Sequence, residues 1–301
     1  MNTNYPANEP STGHILVLGA TGTTGGEVAR QLITAGHRPR LLVRGVSRVK
    51  AAEFENNAVI VDGDLQDDSS MTTALSGVEK LYLACSGLSN GVAGRFLERR
   101  TIDTARKAGV KHVVKLSTFK ADDPSLLLGR WHGDTERHLI DSGMAWTMLR
   151  PATFNTNALS MWADSIKSQG VFSQPTGHGR WASIDPADIA AVAVRALTSP
   201  GHESKIYTLT GPESMDGSGY AAQLASVLGK SVSFMDSAPE LLKQAMVDFG
   251  FPEDQVNAAL QVMGSVKANE WDVISNDVST VLGRLPVKFD DWTARNAAAF
   301  C

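Results

Sequence analysis

The feature that most constrains this chain is a glycine loop, Gly19-Ala20-Thr21-Gly22-Thr23-Thr24-Gly25-Gly26, set between an apolar run and a helix. The run 14–18 (HILVL) reads as a buried strand, and Val28, Leu32 and Ile33 give the stretch 24–35 a helical period. In a strand–loop–helix setting each glycine has a separate task. Gly19 permits the tight turn, Gly22 lets the backbone approach a pyrophosphate, and Gly25 lets the helix pack close to the strand. The helix start then presents free N–H groups and a positive dipole end to phosphate. The spacing is GxxGxxG, and no Gly-Lys-Ser/Thr follows, which argues against a P-loop and for a dinucleotide. An ordinary glycine-rich turn is the alternative.

The same rhythm continues through the first half. Apolar runs at 39–43, 58–61, 80–84, 111–116 and 145–149 alternate with helical patterns, notably 92–108 and 130–142. Short apolar strands separated by helices mean βαβ units and a parallel sheet buried on both faces. The expected fold class is α/β, a Rossmann-type doubly wound sheet with a smaller, mostly helical C-terminal lobe. After Pro151 the alternation breaks. A helix over 186–198 begins with Asp185 as cap and Pro186 at its first position, and a strand follows at 205–210. Further helices are expected at 218–228, near 238–249, 253–267 and 287–299, with a strand near 231–235. The expected organisation is a flexible tail at 1–12 and a dinucleotide domain at 13–154, with 182–211 folding back onto it. The substrate lobe comprises 155–181 and 212–301.

Composition narrows the function classes. The net charge of −4 offers no basic surplus for nucleic acid or anionic lipid. The two cysteines, Cys85 and Cys301, form no CxxC, so no zinc module or disulfide scaffold is expected. The scattered histidines have no ligand spacing, and no metal is expected. No apolar run reaches the ~18 residues of a membrane span, and Met1–Thr12 lacks the features of a signal peptide. The expected location is the cytoplasm, with a monomer or homodimer binding a small aromatic substrate. The helix carrying Arg95, Arg99, Arg100, Arg106 and Lys107, interleaved with Glu98 and Asp103, reads as a solvated face.

Candidate cofactor residues follow from the strand ends. Thr21, Thr23 and Thr24 accompany the loop glycines. Arg44 ends the second run, about twenty positions past Gly25, where an NAD site usually has a carboxylate for the ribose 2′-OH. Arginine there suits a 2′-phosphate, which favours NADP(H), and Arg48 and Ser47 can add contacts. A solvated basic turn is the alternative. Asp64 can meet the adenine amino group or be a turn residue, and Leu65 can pack on the ring. Ala84, Cys85 and Ser86 end the fourth strand and are expected to border the cofactor.

These stretches together resemble the extended and atypical short-chain dehydrogenase/reductases, and most closely the NmrA-like group. Three patterns carry the resemblance: His132-x-x-Thr135-Glu136, then Ser142-Gly143, then Thr147-Met-Leu-Arg150-Pro151-Ala-Thr-Phe154-Asn-Thr-Asn157. Asp185-x-x-Asp188-Ile189-Ala190, Tyr207-x-Leu-Thr-Gly211-Pro-Glu213 and Gly283-Arg284-x-Pro286-x-x-Phe289-x-x-Trp292 also match. The resemblance covers roughly 14–300. It implies an NADPH-dependent reductase of quinones, triphenylmethane dyes or azo dyes. Alternatively it implies a dinucleotide-binding redox sensor that turns nothing over.

The Tyr-x-x-x-Lys pair of the main short-chain branch is absent, since none of Tyr5, Tyr82, Tyr207 and Tyr220 has Lys four positions on. A quinone tolerates that loss, because its reduced oxygen is a phenolate of pKa near ~10 and needs less help from an acid. His132 falls near where the family's lysine would sit. It is expected to hold the nicotinamide ribose or to donate a hydrogen bond to substrate. Ser117, ending the fifth strand, is a second catalytic candidate that could polarise a carbonyl. Pro151, Thr153 and Phe154 are expected along the nicotinamide. Phe119, Phe154, Trp162 and Trp181 are the candidate walls of a pocket for a planar substrate.

Overall fold

The computed structural model describes residues 12–45, 54, 56–85 and 91–301. In chain order the elements are β1 (Thr12–Val17), α1 (Thr23–Thr34), β2 (Arg38–Val43), β3 (Val59–Asp62), α2 (Asp68–Leu75), β4 (Lys80–Leu83), α3 (Gly91–Lys107) and β5 (His112–Leu116). Then follow α4 (Leu127–Asp141), β6 (Ala145–Pro151), α5 (Asn157–Met161), α6 (Ala163–Gln169), β7 (Val171–Gln174), α7 (Pro186–Thr198) and β8 (Lys205–Leu209). The chain closes with α8 (Gly217–Leu228), β9 (Ser233–Asp236), α9 (Pro239–Asp248), α10 (Glu253–Lys267), α11 (Asp277–Leu282) and α12 (Phe289–Arg295).

Seven strands form one sheet in the order β3-β2-β1-β4-β5-β6-β8. Every neighbouring pair is parallel. The chain leaves β1 in one direction for β2 and β3, then returns to β4 on the other side. Ligands of such sheets lie beyond the strand carboxyl ends at that reversal. The central strands are mostly apolar because both faces are covered there, whereas the edge strands β3 and β8 are partly exposed. On β1, Ile15 and Val17 face the core shared with α1 and α7, and Leu16 and Leu18 face the core shared with α2, α3 and α4. That two-residue alternation repeats on β5, where Val114 and Leu116 face the first core and Val113 the second. By the same alternation Lys115 points at α3 and α4.

The expected strands and major helices are present with small shifts at their ends. Asp185 caps α7 through the Ala187 N–H at 2.9 Å, as its position before Pro186 suggests. The elements α5, α6, β7 and α11 carry too few residues to show a period, and sequence reading leaves them out. β7 pairs with β9 in a second, two-stranded parallel sheet. The helix expected at 287–299 breaks at Asn296, and a 3-10 turn continues over Ala297–Phe300. Helix α11 lies in the stretch assigned to the substrate lobe, yet its Val278 packs in the sheet core with Ile189 and Leu209. A separate aromatic core, built from Trp162, Phe172, Trp181, Tyr220, Phe289 and Trp292, holds the C-terminal region together. No helix of the described residues is long and apolar enough to cross a membrane.

Two distant motifs meet in this region. Arg284 pairs with the buried Asp188 at 2.7 Å, and Arg295 with Asp185 at 2.5 Å. The Val287 N–H also donates to Asp188 at 2.7 Å. The C-terminal segment is thus fastened to α7 by the carboxylates at the start of that helix, where negative charge also suits the helix dipole.

Candidate cofactor and substrate site

The glycine loop has the shape its spacing implies. Gly19 sits at φ +71, and a Cβ there would stand 2.6 Å from the Ala84 carbonyl oxygen. A Cβ on Gly25 would stand 2.2 Å from the Gly19 oxygen, so only glycine lets α1 approach the loop this closely. The Gly22 N–H closes the turn on Gly19 at 2.8 Å. Thr21, Gly22 and Thr23 are exposed. Helix α1 has no side-chain cap and no acidic residue in its first turn. The loop is therefore an open cradle of backbone donors, which fits a dinucleotide pyrophosphate. Thr24 departs from expectation: its side chain is buried beside the Tyr82 hydroxyl, so only its backbone faces the loop.

At the far end of the sheet Arg44 is exposed, and its guanidinium lies 4.0 Å from Asp64. The two candidates for the adenosine end are therefore neighbours. Asp64 also accepts from the Gln66 N–H at 2.8 Å, which is the turn role. Leu65 is partly buried against the α2-side core. Ala84 lies behind Gly19, and Cys85 is buried, with its thiol pushed well up by burial and by the nearby Glu98 charge. A thiol held protonated in this way is not a nucleophile. Arg48, Ser47 and Ser86 lie outside the described residues.

The carboxyl ends of β5 and β6 hold a buried polar cluster that sequence reading missed. Lys115 pairs with Glu98 at 2.9 Å, both side chains being fully buried. Glu98 is thus not on a solvated face: it shares the inward side of α3 with Thr101, Ile102 and Ala105. The Lys115 ammonium also donates to the Leu116 carbonyl at 3.1 Å and faces His132 Nδ1 at 3.3 Å. Three donors thus meet three acceptors, which leaves Nδ1 as an acceptor and puts the neutral imidazole's proton on Nε2. Burial first, then the Lys115 charge, lowers the His132 pKa to about 3. His132 is therefore a neutral hydrogen-bond donor at physiological pH and not an imidazolium acid.

Ser117 donates to Glu136 at 2.5 Å. Glu136 in turn is gripped by Arg150, with contacts of 3.1 and 2.6 Å. Arg150 also meets Asp122 at 3.1 Å. The Ser117 proton is engaged, so towards a ligand this hydroxyl is an acceptor and not the carbonyl-polarising donor expected of it. The Thr-Glu and Leu-Arg-Pro motifs together form a clamp that fixes α4 to β5 and β6. No described tyrosine stands at these strand ends. Tyr82 is buried under the glycine loop, and Tyr207 lies on β8 beside His202. Tyr220 is pinned between the Trp181 carbonyl and the Ser183 N–H, with burial raising its pKa to about 12.

Beyond β6 the chain runs along a narrow cleft open to solvent, with about 410 Å³ of empty space when its open mouth is included. Thr153, Phe154, Trp162 and Trp181 all line it, together with Phe289 and residues of β7 and α10. Pro151 lies at the end of β6, two residues before this wall. Phe119 does not line the cleft; it packs edge-on against Trp271 with ring centroids 5.1 Å apart.

The buried imidazoles make stability depend on pH. His112, in contact with Thr147 Oγ1 at 2.9 Å, is also lowered by burial, to about 4. Both rings stay neutral when folded and charge when unfolded below about pH 6.5. The unfolded state then binds more protons, so stability is full above that pH and falls as pH drops towards the folded values. Each ring is expected to remove about 2 kcal/mol between pH 6.5 and 5. Urea unfolding at the two pH values checks this, and His132→Gln should remove that ring's share, while His112 and the histidines His37 and His202, also lowered by burial, keep the rest. A stability that ignores pH over this window contradicts it.

A family model described as NAD(P)H-binding matches residues 19–200. The NAD(P)H azoreductase of Xenophilus azovorans is 37% identical over 288 residues, covering 95% of this chain and 99% of the relative. The (4-alkanoyl-5-oxo-2,5-dihydrofuran-3-yl)methyl phosphate reductase of Streptomyces griseus is 35% identical over 295 residues, covering 95% and 99%. Among solved structures, the NADPH-dependent quinone oxidoreductase QOR2 of Escherichia coli complexed with NADPH superposes with a TM-score of 0.83 at 28% identity. That likeness covers 94% of this chain and 99% of the other.

Proposed function

The chain belongs to the NAD(P)H-binding, NmrA-like branch of the atypical short-chain dehydrogenase/reductases, and on that premise we propose that it passes a hydride from NADPH to a quinone or similar flat conjugated aromatic. One observation carries the reading. The segment leaving β6 at Pro151 forms the wall of an uncharged aromatic cleft at the strand end, on the same side of the sheet as the glycine loop.

NADPH, when bound, supplies the hydride. The rest is the work of this chain. The backbone of Gly22, Thr23 and Thr24 would receive the pyrophosphate, and Arg44 would receive the 2′-phosphate. His132 offers its Nε2–H to the nicotinamide ribose or to a substrate oxygen, held in that tautomer by Lys115. The cleft would hold the acceptor ring at the strand end, so that proximity carries most of the rate. A quinone gains the hydride and one proton to become a hydroquinone. The proton comes from water, since a phenolate of pKa near ~10 needs no buried acid.

The test is steady-state oxidation of NADPH, with NADH in parallel, against menadione, a cationic dye and an azo dye. Acceptor-dependent oxidation that favours NADPH supports the reading. Tight dinucleotide binding with no oxidation by any acceptor overturns it and leaves a sensor.

A further inference from the structure

We propose that the cleft beyond β6 selects a neutral planar ring whose edge both accepts and donates hydrogen bonds, a conjugated carbonyl compound bearing hydroxyl groups, and that it rejects charged dyes. This rests on the reductase reading and narrows its substrate.

The cleft has two properties that a general quinone pocket does not need. First, none of its described lining residues carries a charge. Lys267 and Arg180, which neighbour the lining residues Val266 and Trp181 in sequence, are paired with Asp236 at 3.2 Å and Asp272 at 3.5 Å. A sulfonate or a dye cation inside would lose its hydration without gaining a counter-charge. Second, the lining is rich in buried polar atoms that find no hydrogen-bond partner among the described residues. They are both side-chain atoms of Asn155, Gln174 Oε1, Thr176 Oγ1, Ser183 Oγ, Thr153 Oγ1 and Trp162 Nε1. Asn155 and Thr176 are 1% exposed, Gln174 6% and Ser183 7%, so these are interior groups.

Buried polar atoms are nearly always hydrogen-bonded, and leaving one unmet is costly. So many in one place describes the complement of a ligand. Asn155 Nδ2 and Trp162 Nε1 are donors suited to a carbonyl oxygen. Asn155 Oδ1 and Gln174 Oε1 are acceptors suited to a hydroxyl, and the three hydroxyls serve either role. Either orientation of the Asn155 amide offers one donor and one acceptor. The shape is fixed as well. Trp162 stacks on Phe172 with centroids 4.2 Å apart, and Trp181 stacks on Tyr220 at 4.7 Å. Rings stacked in this way offer flat walls to a planar guest.

The experiment compares Gln174→Leu, which removes a hydroxyl acceptor and keeps the carbonyl donors Asn155 Nδ2 and Trp162 Nε1, with the wild type on emodin, menadione and cationic malachite green, using kcat/KM and NADPH binding. Taking the wild-type-to-variant ratio for each acceptor removes its intrinsic redox reactivity. The hydroxylated emodin should lose roughly 10–100-fold, menadione less than about threefold, and NADPH affinity should not move. Malachite green should turn over poorly in the wild type and no worse in the variant. Equal losses for emodin and menadione, or efficient wild-type turnover of malachite green, overturn the proposal. Thr176→Val/Ser183→Ala is the second variant if the first does not fold, with the same expected ordering. If no acceptor oxidises NADPH, the reductase reading fails, and calorimetric binding of emodin to the two proteins still decides the cleft's preference.

Discussion

Replacing Lys115 by Met is expected to destabilise the protein by about 3–5 kcal/mol, the usual result of removing one member of a fully buried ion pair. Lys115 is carried into the interior by the alternation of β5 and meets Glu98 at 2.9 Å with both side chains fully buried. The variant removes the counter-charge of Glu98 in a region where water cannot replace it. For a chain of this size the melting temperature should fall by on the order of 10 °C. The double variant Lys115→Met/Glu98→Leu removes both charges and should recover most of the loss, because the pair's desolvation cost offsets much of its attraction. The variant also frees His132 Nδ1, so the ring loses its fixed tautomer and NADPH affinity should fall even where the fold is kept. Thermal denaturation of the three proteins reads the first effect, and calorimetric NADPH titration the second. A single variant as stable as the wild type, or a double variant weaker than the single, contradicts this account of the cluster.

Arg44→Asp is expected to raise the NADPH dissociation constant about 100-fold and leave NADH binding within about threefold. The arginine stands at the end of β2, exposed and 4.0 Å from Asp64, where the 2′ position of the adenosine ribose arrives in this fold. A guanidinium gives the 2′-phosphate a forked, charge-assisted contact. Aspartate removes that contact, adds repulsion, and supplies the carboxylate that a 2′-hydroxyl prefers. Parallel titrations with the two dinucleotides are the measurement. An equal loss for both would remove Arg44 from the 2′-phosphate site.

How far the chain could be read beforehand depended on where the information lay. The sheet was legible because its strands are continuous apolar runs, the mark of burial on both faces, and because the glycine loop falls between the first strand and helix. The clamp of Ser117, Glu136 and Arg150 was visible as motifs but not as a contact, since nothing in the spacing says that Glu136 turns back onto β5. Glu98 was read as solvated because arginines flank it on both sides. Its place four residues after Gly94 and before Ile102 on one helix face was the available sign that it points inward, and a lysine within the central run KHVVKL was the sign of its partner. Phe119 was placed in the pocket by its position after the strand, whereas the short turn that follows carries it to Trp271. The polar lining of the cleft could not be read at all. Asn155, Gln174, Thr176 and Ser183 come from separate short segments, and each looks like an ordinary loop residue until β7 and the C-terminal helices bring them together.

The central claim is that a hydride passes from NADPH to a ring held in the cleft beyond β6. A single-turnover reaction with NADPH deuterated on either face of nicotinamide C4, mixed anaerobically with excess menadione, tests it most directly. The expected result is oxidation slowed several-fold by deuterium on one face and altered only by a small secondary effect from deuterium on the other, since a ring held in the cleft would meet one side of the nicotinamide. Oxidation indifferent to both labels, or dinucleotide that stays bound and reduced, would contradict it.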